Sequence, residues 1–191
     1  MTSGLTYSML FPRGWQQFSV DAAGEKRVSA AATRQARDAG RADVVAMIRQ
    51  YTHQMFDQLR RQRAITVHLP VGMSRTAPAS LAVVPLVAGE RTLDAAVARA
   101  AGGLTVERLD VDDTTWYRWV EPHSRAEGSA ELTGTTVHYV IPRPGGPGEA
   151  GLHLAYTAIG LIGDEETQQW VELGHTIVGS FQWKARESVR S

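Results

Sequence analysis

Three consecutive segments decide the fold: TGTTVHYVI at residues 133–141, LHLAYTAI at 152–159 and EETQQWVELGHTIVGSFQW at 165–183. The first two are strand-like in pattern and are joined by a proline- and glycine-rich link, so they predict an antiparallel hairpin. In the third, Trp170, Leu173, Gly174, Ile177 and Phe181 recur at helical spacing along one face. Asp164, Glu165 and Glu166 place negative charge at its N-terminus, where the helix dipole favours it. The segment therefore predicts a helix that closes on Ser180-Phe181-Gln182-Trp183 and covers one side of a sheet, with 184–191 as a flexible tail.

Upstream, the polar run 122–132 reads as a long hairpin loop, preceded by strands at 104–109 and 114–121 around a turn at 110–113. Thr92 is an N-cap signal for a short helix carrying Leu93, Ala96, Val97 and Ala100 inward, and Gly102-Gly103 supplies its stop. Residues 79–87 read as a strand in which Pro85 marks an edge or a bulge, and Ile65, Val67 and Leu69 as another strand ending in a turn over 70–78. Two helices precede them. The first, from residue 23, has a thin stripe of Val28, Ala31, Ala32 and Ala39; the second, over 41–62, points Val44, Ile48, Tyr51, Met55 and Leu59 inward and Arg49, His53, Asp57 and Arg60 outward. The chain opens with alternation at 5–11 and 15–20 about Pro12-Arg13-Gly14, which predicts a hairpin. Short hairpin links with helices before and after the strands predict an α+β fold, a three-layer α/β/α sandwich around one mainly antiparallel sheet.

A chain of 191 residues suits a single domain spanning 1–191. Zero net charge predicts no general attraction to nucleic acid or to anionic membrane, and the absence of cysteine excludes disulfides, thiolate metal sites and cysteine nucleophiles. The nearly uncharged run 151–163 is too short for a membrane span, and the first twenty residues carry no signal-peptide pattern. A cytoplasmic protein without membrane insertion is the expectation.

Chemistry-bearing clusters are few. His138 and His153 fall on facing strands of the last hairpin and share a sheet face for any register with an odd sum; with His68 on another strand they are the candidate metal ligands, although no HxH or HExxH spacing supports a metal. Trp116, Tyr117, Arg118 and Trp119 put large aromatics on both faces of one strand, either as core or as anchors of a partner. Glu107, Asp110, Asp112 and Asp113 lack the calcium-loop pattern and read as a solvated turn. Between residues 25 and 63 nine basic side chains face four acidic ones, a surplus that the remaining chain balances. Arg49 and Arg60 belong to this cationic helical layer, which would steer an acidic partner or bring copies of the chain together head to tail as a homo-oligomer. Serine-nucleophile, dinucleotide and phosphate-loop motifs are missing, so no catalytic residue and no cofactor is assigned.

The order of elements, with Phe11-Pro12-Arg13-Gly14-Trp15, Val137-His138-Tyr139-Val140-Ile141-Pro142 and Ile177-Val178-Gly179-Ser180-Phe181-Gln182-Trp183, resembles uncharacterised actinobacterial proteins. These in turn resemble the PsbP-like superfamily, which groups photosystem-associated PsbP, the Ran-binding Mog proteins and the mycobacterial LpqN-type lipoproteins. The three patches are a turn, a strand and a helix end, so the resemblance implies the fold and a scaffold of binding and assembly factors, and transfers no functional residue. Lacking cysteine and a signal segment, the chain departs from the exported lipoproteins.

The resulting expectation is a non-catalytic protein-binding or accessory module, engaging another protein through the basic layer, the 116–119 strand or the loops at 122–132 and 142–150. The first alternative is a carrier of a small apolar ligand held between sheet and helix by Trp15, Trp119, Tyr139 and Trp170. The second is a metal-dependent enzyme using the strand histidines.

Overall fold

The structure is a computed structural model that describes residues 5–38, 40–71, 79–87, 92–127, 130–145, 150–161 and 165–185. Thirteen regular elements appear among them: β1 (Leu5–Ser8), β2 (Gln16–Ser19), α1 (Ala22–Asp38), α2 (Val45–Arg61), β3 (Thr66–Leu69), β4 (Ala79–Val87), α3 (Leu93–Ala101), β5 (Glu107–Val111), β6 (Thr114–Glu127), β7 (Ala130–Pro142), β8 (Ala150–Leu161), α4 (Glu165–Gly179) and β9 (Gln182–Ala185). A 3-10 turn at Ala42–Val44 leads into α2. Residues 72–78 of the predicted turn, 146–149 of the link at 142–150 and 186–191 of the tail lie outside the described residues.

Seven strands form one antiparallel sheet in the order β2-β3-β4-β8-β7-β6-β5, and β1 pairs with β9 in a separate two-stranded ribbon. Side chains directly opposite in the register share a face, so the pairings sort the core into two layers. On one face Leu81, Val83, Leu154, Tyr156, Val137, Tyr139, Ile141 and Trp116 pack with Ile177, Val178 and Phe181 at the end of α4. On the other, Phe18, Val67 and Ala82 meet Val28 of α1 and Phe56 and Leu59 of α2, while Tyr117, Trp119 and Val140 meet Leu93, Val97 and Ala101 of α3. This is the α+β sandwich expected, with α1, α2 and α3 on one side of an open sheet and α4 with the β1–β9 ribbon on the other. No helix among the described residues is long and apolar enough to cross a membrane.

Two positions show why α3 and α4 fit. Thr92 Oγ1 accepts from the Ala95 amide at 3.3 Å, and Gly102 ends α3 in the left-handed region at φ 59°, as the sequence signals required. Gly174 faces Tyr156 so closely that a Cβ there would lie 2.4 Å from the ring, and the Tyr156 hydroxyl donates to the Trp170 carbonyl at 2.6 Å. Pro85 lies beyond the residues of β4 that β3 pairs, on a stretch held by β8 alone, where a missing amide costs no ladder bond.

The sequence reading is corrected in several places. The opening segments form no hairpin: β1 closes on β9 at the other end of the chain, and β2 pairs with β3. The last helix stops at Gly179, and 182–185 is strand, so the first two residues of the expected tail belong to the ribbon. The polar run 122–132 is mostly strand, since β6 extends to Glu127 and β7 starts at Ala130. The inward stripe of α2 is rotated: Thr52, Phe56 and Leu59 are buried, whereas Tyr51 is half exposed. Asp112 and Asp113 both have positive φ, as a two-residue hairpin turn between β5 and β6 demands.

Candidate functional site

The α2-facing side of the sheet carries an anomaly between its two apolar clusters. Ser80, Thr157, Thr136 and Glu121 stand directly opposite one another across β4, β8, β7 and β6, a polar row through the middle of the sheet. One step along the strands lies a mixed row of Ala82, Ala155, His138 and Trp119. The strand period of two fixes this grouping, because Glu121 is two residues from Trp119, Thr136 two from His138 and Thr157 two from Ala155.

Buried polar groups must find partners, and these do. Thr136, only 6% exposed, shares its hydroxyl between His123 Nε2 at 2.8 Å and Thr157 Oγ1 at 2.9 Å. Glu121 Oε2 lies 3.1 Å from His138 Nε2, and His138 Nδ1 lies 2.9 Å from His153 Nε2. The Trp119 indole stacks on both imidazoles, at centroid separations of 4.7 and 5.2 Å. An ionised carboxylate only accepts, so Glu121 fixes the proton of His138 on Nε2; His138 Nδ1 then accepts from His153. Burial holds the His138 imidazole below its ordinary pKa against the opposing pull of Glu121, and burial with His138 alongside pushes His153 down to about 4.

This floor lies under α2. Met55, Gln58, Leu59 and Gln62 form the wall of a cleft of about 460 Å³ that also takes in Ser80, Glu121, His123, Thr136, His138, Thr157 and Ile159. The register confirms that His138 and His153 share a face, as diagonal neighbours, since His153 opposes Val140 and His138 opposes Ala155. His68 pairs with Leu81 and so belongs to the opposite, α4-facing side, stacked on Phe11 at 4.2 Å. Burial alone pushes His68 down to about 4. The three histidines therefore do not converge, and the imidazole metal site read from the sequence is withdrawn on sheet parity.

A second concavity of about 750 Å³ lies between α1 and α2, away from the sheet. Lys26, Arg34 and Arg37 of α1 and Arg49 of α2 line it with Glu25, Asp38 and His53. Glu25 is already engaged by Arg60 and by His53 Nδ1 at 2.8 Å, which keeps its carboxyl below the usual range. Arg60 also holds Asp57 at 2.8 Å, so it is a structural clamp between α1 and α2, while Arg49 stands exposed on the groove.

The strand 116–119 is core. Trp116, Tyr117 and Trp119 are all buried, and Arg118 spans the α4-facing side to Glu107 at 2.7 Å. They hold the sandwich together and are not displayed to a partner. Trp15, Tyr139 and Trp170 pack in the α4-facing cluster and Trp119 on the other face, so these four line no common cavity. Sequence reasoning missed Ser80, Glu121, His123, Thr136 and Thr157; their period-two relation to His138 and His153 was the available signal.

No family model matches the chain, and no curated protein does. Among solved structures it is similar to a protein of Bacteroides thetaiotaomicron VPI-5482, with TM-score 0.46 and 8% identity over 98% of this chain and 51% of that one. The chain thus spans about half the length of that protein. It is also similar to LpqN of Mycobacterium tuberculosis, described as involved in cell envelope biogenesis, with TM-score 0.49 and 12% identity over 96% of this chain and 86% of LpqN.

Proposed function

We propose that the protein is a non-catalytic binding or accessory module whose α1–α2 groove takes an acidic segment of another polypeptide. One observation carries the reading: Lys26, Arg34, Arg37 and Arg49 border one concavity without forming an ion pair to any described residue, while Glu25 is occupied by the Arg60 clamp. A surplus of one sign around a groove, here four cations against Asp38, raises the encounter rate with the opposite sign and selects the partner. Among the described lining residues there is no Phe, Tyr or Trp, and His53 is engaged by Glu25, so stacking of nucleic-acid bases finds little platform there. The Thr136 hydroxyl, though bonded to an imidazole, is too buried to be presented as a nucleophile. Membership of the PsbP-like superfamily and a cytoplasmic location complete the proposal, supported by the three sequence patches and by the composition.

The test is photo-crosslinking from residue 37 in extract of the source organism, comparing the otherwise unmodified chain with one carrying Arg34→Glu and Arg49→Glu. Acidic proteins captured by the first and lost from the second are expected; the same capture by both overturns the proposal. Crosslinks between copies of the chain would identify its own acidic remainder as the occupant.

A further inference from the structure

The cleft beneath α2 is separate from the outer groove and has a different chemistry. Glu121 is its sole charged side chain among the described lining residues. Its Oε2 is held by His138, and no described side chain pairs with Oε1; the Glu121 side chain is 47% exposed and lines the cleft. The His123–Thr136–Thr157 chain ties together three polar side chains of the floor before any ligand arrives. Met55, Leu59, Val67, Ala82 and Ile159 supply apolar surface around this polar strip.

We infer that this cleft binds a small organic ammonium ion, with Glu121 Oε1 as counter-charge and the Met55–Leu59 wall covering its hydrocarbon part. Three competing ligand classes fit worse. An anion would meet Glu121 with no lysine or arginine among the described lining residues to offset it. A neutral molecule would strip water from the free carboxylate oxygen and return no charge-assisted hydrogen bond. A hard metal ion requires several oxygen ligands, and the cleft offers one carboxylate, while both nitrogens of His138 are already used. A cavity with apolar walls and a few convergent polar groups is the usual form of a small-molecule site. The inference does not rest on the outer groove, so either can fail without the other.

The experiment titrates phenethylammonium into the protein and follows the imidazole ¹H–¹⁵N resonances of His123, His138 and His153. 2-Phenylethanol and 3-phenylpropionate serve as neutral and anionic counterparts. Saturable shifts with the ammonium alone are expected, with affinity falling about tenfold or more in Glu121→Gln, the loss expected for one charge-assisted contact. Met55→Trp, which fills the cleft from its helical wall and leaves Glu121 intact, is expected to block binding as well, and covers the case in which Glu121→Gln perturbs the fold. Equal binding of the alcohol or the carboxylate, no saturable shift at these imidazoles, or unchanged affinity in both variants would overturn the inference.

Discussion

His138 and His153 stand diagonally across the β7–β8 pair with their ring nitrogens 2.9 Å apart, and the Trp119 indole lies against both. A buried imidazole–imidazole bond of this kind is stable only while at least one ring is neutral, and the Glu121 carboxylate at one end sets the proton direction for the pair.

Stability should therefore fall with acid. His153 and His68 are both held at about 4 in the fold, below the ordinary 6.5, so the unfolded chain takes up protons that the folded one refuses. Their contribution is complete above pH 6.5 and is lost as pH falls from there towards 4, on the order of 3 kcal/mol for each. Thermal melts across that range check this. His68→Leu should flatten the curve, and a melting temperature independent of pH would contradict it.

Gly174→Ala should destabilise by about 1–3 kcal/mol, because the new methyl meets the Tyr156 ring and the close approach of α4 to β8 has no slack. Chemical denaturation measures the loss. A neutral substitution would mean that α4 does not sit as close to Tyr156 as described.

Trp119→Ala should cost about 3–5 kcal/mol, since the indole is 2% exposed among Tyr117, Val140 and the residues of α3. The pKa values of His138 and His153, read by NMR, should rise towards the ordinary value as water reaches the rings. Capture of a partner by the folded fraction should be unchanged, which separates this core tryptophan from a surface anchor.

The ends of the chain should protect one another. Amides of 182–185 are expected to exchange slowly through pairing with Leu5–Ser8, helped by the Tyr7 hydroxyl bonded to Thr66 Oγ1 at 2.8 Å and by the Leu10 amide on Ser180 Oγ. Removing residues 1–8 should expose 182–185 while the seven-stranded sheet keeps its protection. Rapid exchange at 182–185 in the intact chain would refute the ribbon.

Local signals were legible where one rule decides. The cap at Thr92, the stop at Gly102, the bounds of β4 and the apolar face of α4 each follow from a short pattern, and so did the shared face of His138 and His153. What escaped was non-local. Nothing in residues 5–8 announces a partner at 182–185, and a hairpin is the cheaper reading of two neighbouring alternating runs. The strand at 122–127 was hidden by its polarity, because its sequence shows no apolar alternation. The site itself was half visible: two histidines could be paired by parity, but the row of Ser80, Thr157, Thr136 and Glu121 needs the register of four strands at once. The face of His68 was not legible for the same reason, as it depends on the pairing of β3 with β4.

The central claim is that charge on the α1–α2 groove selects an acidic partner, and the most direct measurement is the affinity for the captured partner across ionic strength. The chain should bind tightly at low salt and progressively more weakly as salt rises, and Arg34→Glu with Arg37→Glu and Arg49→Glu should lose about tenfold or more. An affinity indifferent both to salt and to reversal of these charges would contradict the account.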